Sequence, residues 1–236
     1  MRLQTKIKYR NQRNNDNDAA DGMCNLTSLA MALETVGIGK PSKLPDQSKI
    51  PPALKLTQKK FDDMQPEDYL EWVRRVNRYG PRTSEKGIAN TAIYMGAEHK
   101  RLYSGIIKRQ EWEGKIRKHL GRGEGVFFSV DGHIVRLQGM NDKGLIVDDP
   151  YGKIKLYKGS GTGNYSWRAY NTRKGEEGPG EDAIWPWGEV ESHAMLWVAI
   201  VSNTTLTLNS ASDISKTDKE TLNQKNTDPK KRRLTP

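Results

Sequence analysis

Near residue 125 the spacing of apolar side chains changes from helical to alternating, and this switch restricts the fold more than any other feature of the chain. Before it, Leu26, Leu29, Ala30 and Leu33 recur at helical spacing over 24–36, with Gly37 as a stop. Pro66 opens a helix to about Tyr79, with Tyr69, Trp72, Val73 and Val76 on one face. Further helices are expected from Ser84 to about Ala97 and from about Gln110 to Leu120. After the switch, Val126–Val130, His133–Gln138, Leu145–Val147 and Ile154–Tyr157 are short runs separated by Asp-Gly, Asn-Asp-Lys-Gly and Pro-Tyr-Gly turns. Ala194–Val201 is apolar enough for a last strand buried in the sheet. Helices first and antiparallel strands afterwards predict an α+β domain, its N-terminal helical half packed on the sheet.

The segments between these elements read differently. Residues 39–60, with several prolines and lysines, form a surface excursion, and the glycine-rich stretch 158–182 is a long loop. After Ser202 the chain is rich in Asn, Thr, Ser and Lys, so one domain over 1–202 and a disordered basic tail over 203–236 are expected. The net charge of +10 favours polyanionic partners, among them an acidic cell-wall polymer, with nucleic acid the lesser reading. The Lys-Lys-Arg-Arg run at 230–233 adds to that charge at the end of the tail. No segment approaches the ~18 apolar residues of a membrane span. The opening MRLQTKIKYR lacks the apolar core of a signal peptide, so synthesis in the cytoplasm is expected, with other machinery carrying the protein to the periplasm, the cell wall or outside if it acts there.

The chain has one cysteine, Cys24, which opens the run Cys-Asn-Leu-Thr-Ser-Leu-Ala-Met-Ala-Leu. A lone thiol forms no internal disulfide. At a helix start, unpaired N–H groups and the positive end of the helix dipole favour thiolate over thiol. A thiol nucleophile needs a base, and the base needs an orienting partner. His133 follows the Asp131-Gly132 turn and opens a strand, and Asp148 and Asp149 close the next one. If 133–139 and 144–149 pair as a hairpin, either aspartate comes near the histidine. Asp149 precedes Pro150, which biases it to an extended backbone.

An acyl-transfer site also needs donors for the oxyanion. Gln12 is the candidate side-chain amide, with Asn14, Asn15 and Asn17 as competitors and the Cys24 backbone N–H as second donor. His193, before the last apolar strand, is a rival base. His99, His119, His133 and His193 show no metal-ligand spacing, so no metal and no cofactor is expected. Trp167, Trp185 and Trp187, flanked by Gly and Pro, either line a substrate groove or close a core.

Tyr-Arg-Asn-Gln-Arg-Asn-Asn (9–15), Met-Cys-Asn-Leu-Thr-Ser-Leu-Ala-Met-Ala-Leu (23–33), Gly-His-Ile-Val (132–135) and Val-Asp-Asp-Pro-Tyr-Gly (147–152) together resemble the C39-like branch of papain-fold cysteine peptidases. The resemblance covers roughly 7–157 and follows the family order Gln, Cys, His, Asp. It implies a papain-like fold, with Cys24 as nucleophile, His133 as base, Asp149 as orienter and Gln12 as oxyanion donor. Asn25 stands where papain-fold enzymes usually carry glycine, and Gln12 lies twelve positions before Cys24. Free-standing members occur among bacterial and phage proteins, which makes peptidoglycan cross-links or stem peptides the expected substrate, through an endolysin or an antibacterial effector. An effector would be matched by an inhibitory immunity protein. The alternatives are a protease acting on a protein substrate, or an inert papain-like module whose basic tail binds a polyanion.

Overall fold

The computed structural model describes residues 7–15, 22–130, 132–152 and 180–203. The expected strand at 154–157, nearly all of the loop 158–182, Asn17, Trp167 and the tail from residue 204 lie outside the described residues.

The helical part comprises α1 (Cys24–Thr35), α2 (Gln58–Asp63), α3 (Pro66–Val76) and α4 (Glu85–Tyr94). Strand β1 (Ala97–Ile106) follows, then α5 (Arg109–Glu111), a π turn (Trp112–Ile116) and α6 (Arg117–Gly121). The rest of the sheet is β2 (Gly125–Val130), β3 (His133–Met140), β4 (Gly144–Asp148), β5 (Ala183–Pro186) and β6 (Ala194–Asn203), with α7 (Trp187–Val190) between the last two. The strands form one antiparallel sheet in the order β1-β6-β2-β3-β4-β5. This is the α+β arrangement that the change of period predicts.

The sheet is covered on both faces. In β2, Phe127 packs with Leu26, Leu29 and Leu33 of α1. Its neighbours Val126, Phe128 and Val130 face the opposite core, with Trp112, Ile116 and Leu120. Strands covered on both sides become apolar at every position, so β2 is buried along its whole length. Helix α1 is central, with Cys24–Leu33 all buried. It lies so close to β2 that a Cβ on Gly125 would stand 2.1 Å from the Ala32 carbonyl oxygen, which only glycine avoids. A third cluster, Leu56, Phe61, Tyr69, Trp72 and Val73, is where the excursion 39–60 and α2 fold onto α3. Lys40 Nζ pins that excursion by donating to the carbonyls of Phe61 (2.6 Å) and Met64 (2.7 Å) at the end of α2.

Several boundaries differ from the sequence expectations. Helix α3 stops at Val76 rather than near Tyr79, because Asn77 Nδ2 turns back to the Val73 carbonyl (2.8 Å) and Arg78 takes φ 54°. Helix α4 ends at Tyr94, and Ala97 begins a strand that the pattern did not reveal. Trp185 and Trp187 close the core. Trp185 is 1 % exposed, edge-on to Phe128 at 5.7 Å, and Trp187 is buried with Nε1 donating to the Asn141 carbonyl (2.9 Å). Among the described residues no helix is long and apolar enough to cross a membrane.

Candidate active site

Cys24 is the first residue of α1, after Met23, whose side chain supplies no cap. Asn25 Oδ1 accepts the Leu26 N–H (2.8 Å), so the residue that replaces the usual glycine quenches one orphan donor of the first turn. One turn on, Ser28 Oγ donates to the Ile134 carbonyl (2.9 Å), joining the cysteine helix to the strand that His133 opens. The pairing of β3 with β4 ends at Arg136↔Asp148, so a helix side chain serves the Ile134 carbonyl beyond that rung.

At the start of β3 the His133 ring meets two partners. Nε2 lies 2.7 Å from Asp149 Oδ1, and the Cys24 thiol hydrogen-bonds the ring. Cys24 retains 9 % exposure and His133 8 %, whereas Asp149 retains none, so the pair sits at a narrow opening over a sealed carboxylate. Burial opposes charge on the ring, but the Asp149 carboxylate and then the Cys24 sulfur outweigh it and raise His133 from 6.5 to about 10.

Asp149 lies past the last rung of β4 and is held by other contacts. Its Oδ1 also accepts the Tyr151 N–H (3.0 Å), its own N–H donates to the Gly180 carbonyl (2.9 Å), and its carbonyl accepts from Tyr9 Oη (2.6 Å). Tyr151 stands edge-on to the His133 ring at 6.5 Å, and the Arg13 guanidinium lies 5.6 Å over the Tyr151 ring. Arg13 is exposed, which puts positive charge beside the opening.

Asp148 has different work. It forms a buried ion pair with Arg136, and its Oδ1 accepts the Asp182 N–H (3.1 Å). Arg136 Nε also donates to Thr35 Oγ1 (3.0 Å). Burial pushes the Asp148 carboxyl up and the Arg136 guanidinium down, and their mutual attraction opposes both shifts. Of the two aspartates that end β4, the one against the histidine is Asp149.

Gln12, 1 % exposed, is tied beside this loop by its N–H to the Pro150 carbonyl (2.8 Å). Arg10 holds the same N-terminal segment to the helices through Glu34 (3.0 Å) and Glu67 (3.5 Å). Of the competing amides, Asn15 Nδ2 donates to the Gln12 carbonyl (2.6 Å), and the Asn14 carbonyl accepts from Gln65 Nε2 (3.0 Å). His193 is buried with Nδ1 against the Glu189 carbonyl (2.8 Å) and Ser192 Oγ (3.1 Å). His119 Nδ1 meets Glu124 Oε2 at 2.5 Å, and His99 packs against Phe127.

The sequence reading overlooked Tyr9, Ser28 and Tyr151. Ser28 was reachable, since it follows Cys24 by four residues and so shares its helix face. Tyr9 carried no local signal, because its partner lies 140 residues away.

The family model of the Peptidase C39-like family matches residues 4–174, a span that contains Gln12, Cys24, His133 and Asp149. No curated protein and no solved structure matches the chain.

Proposed function

Because the chain belongs to the Peptidase C39-like family, we propose that it is a cysteine peptidase in which Cys24, His133 and Asp149 do the chemistry and peptidoglycan peptides are the substrate. The observation that supports this reading is the His133 ring held between the Asp149 carboxylate (2.7 Å) and the Cys24 thiol. A ring raised to about 10 keeps its proton at neutral pH, and that proton is the one the mechanism hands to the leaving nitrogen.

The Cys24 thiolate adds to the peptide carbonyl carbon, and the carbonyl π electrons move to oxygen. The Cys24 N–H and the Gln12 side-chain amide are the assigned donors to that oxyanion. Collapse breaks the C–N bond as the imidazolium gives its proton to the leaving nitrogen. Water then loses a proton to the imidazole and adds to the thioester. Expulsion of sulfur returns the thiolate–imidazolium pair and releases the acid.

For the substrate, the net charge of +10 and the exposed Arg13 at the opening favour an anionic polymer such as peptidoglycan. The experiment is incubation with purified peptidoglycan and mass analysis of the soluble fragments. New amino and carboxyl ends within stem peptides or cross-links are expected, together with their loss in Cys24→Ser at unchanged circular dichroism. Full activity in Cys24→Ser overturns the mechanism. Cleavage of protein substrates with none of peptidoglycan moves the reading to a protein-directed protease.

A further inference from the structure

We infer that Tyr9 is a positioning residue of the proposed site, acting through Asp149 on the His133 ring. The inference rests on the peptidase reading and adds to it a residue that meets the main chain of Asp149.

The problem that Tyr9 solves is one of placement. A carboxylate that orients a histidine must come from a rigid backbone, since a displacement of an ångström in such a group costs rate steeply. Asp149 has no such backbone from the sheet, because the β3–β4 ladder ends at Arg136↔Asp148. Its main chain is fixed instead from three sides. The N–H goes to the Gly180 carbonyl (2.9 Å), and the carbonyl receives Tyr9 Oη (2.6 Å) and the Gly152 N–H (3.2 Å). The next carbonyl, that of Pro150, receives the Gln12 N–H (2.8 Å). The segment that delivers the assigned oxyanion donor therefore also grips the loop that delivers the orienting carboxylate.

The packing leaves this grip no slack. Tyr9 is 4 % exposed. A Cβ on Gly180 would stand 2.1 Å from the Asp149 carbonyl oxygen and 2.8 Å from Tyr9 Oη. The phenol and the glycine thus close on one carbonyl. Of these contacts, the phenol hydroxyl can be removed alone, by Tyr9→Phe, with the ring volume kept.

The experiment follows alkylation of Cys24 by iodoacetamide from pH 4 to 11, for wild type, Tyr9→Phe, Asp149→Asn and the double variant, beside peptidoglycan hydrolysis. Cys24 is the only thiol, so alkylation reads the pair without needing a known scissile bond. The expected result is an alkaline transition of the imidazolium that Tyr9→Phe moves toward neutrality, with kcat lowered roughly tenfold and KM unchanged. In the Asp149→Asn background Tyr9→Phe should have no further effect on either transition. An unmoved Tyr9→Phe profile, or equal shifts with and without Asp149, overturns the assignment while leaving the peptidase reading in place. A wild-type thiol that alkylates with the profile of free cysteine overturns both.

Discussion

Ser28 Oγ donates to the carbonyl of Ile134 across 2.9 Å, and this one bond couples the turn that follows Cys24 to the residue that follows His133. The two halves of the proposed pair come from different layers, a helix and a sheet, and their separation depends on how those layers meet. Ser28→Ala leaves a buried carbonyl without this partner and should cost about 1–3 kcal/mol in chemical denaturation. Because the bond sits one turn from the sulfur, kcat should fall while KM changes little. Unaltered stability and kcat would count against the coupling.

The pH dependence follows from the direction of the His133 shift. The ring is raised from 6.5 to about 10, so the folded protein holds a proton that the unfolded chain has released. Its stabilising contribution is complete below 6.5 and is lost as pH climbs toward 10. Melting of Cys24→Ser, in which the thiol no longer titrates, should show that alkaline loss, and His133→Gln in the same background should lack it.

Activity has a related signature. In the proposed mechanism the imidazolium gives its proton to the leaving nitrogen, so kcat/KM should decline on the alkaline side as that proton is lost. Asp149→Asn removes the strongest influence that raises the ring and leaves burial, which lowers it, opposed by the Cys24 sulfur alone. The alkaline limb should then move toward neutrality, with kcat reduced roughly 10²-fold or more. A limb that stays in place would separate Asp149 from the ring's titration.

Arg136 and Asp148 form a buried ion pair whose loss should be asymmetric. Arg136→Met strands a carboxylate and should destabilise by about 3–5 kcal/mol at pH 7. The penalty should shrink as the pH falls, because the stranded Asp148 carboxyl, pushed up by burial, takes a proton more readily than an ordinary carboxylate. Arg136→Met with Asp148→Leu should recover most of the loss. Equal destabilisation by the single and double variants would refute this account.

Gly125→Ala puts a Cβ 2.1 Å from the Ala32 carbonyl oxygen, where neither the helix backbone nor the strand backbone can yield cheaply. A loss of about 1–3 kcal/mol or more is expected in thermal unfolding. Gly114→Ala, where a Cβ meets nothing within 4 Å, is the control and should be close to neutral.

What the sequence discloses depends on the range of the interaction. Helix α1 was legible because Leu26, Leu29 and Leu33 must all reach one core, and the β3–β4 hairpin because its turn is written in Asn-Asp-Lys-Gly. Strand β1 was not legible. Among the described residues it is an edge strand bonded only to β6, half-exposed, with Glu98, His99, Lys100 and Arg101 in its first half. Strand β5 is four residues long and ends in Pro186, so Trp185 looked like a loop aromatic although its alternation with Ile184 turns it into the core. In the site, the sole thiol and the turn before His133 pointed to themselves. The choice between Asp148 and Asp149 did not, because it turns on Arg136, which claims the first of them from the neighbouring strand.

The grip of Tyr9 on Asp149, closed by Gly180, has a temporal consequence. A ribosome making this chain releases Cys24 early, His133 and Asp149 more than a hundred residues later, and Gly180 later still. Nascent fragments that already display the sulfur therefore lack the aligned imidazole, and under the proposed mechanism hydrolytic competence arrives in one late step of folding rather than growing with the length of the chain.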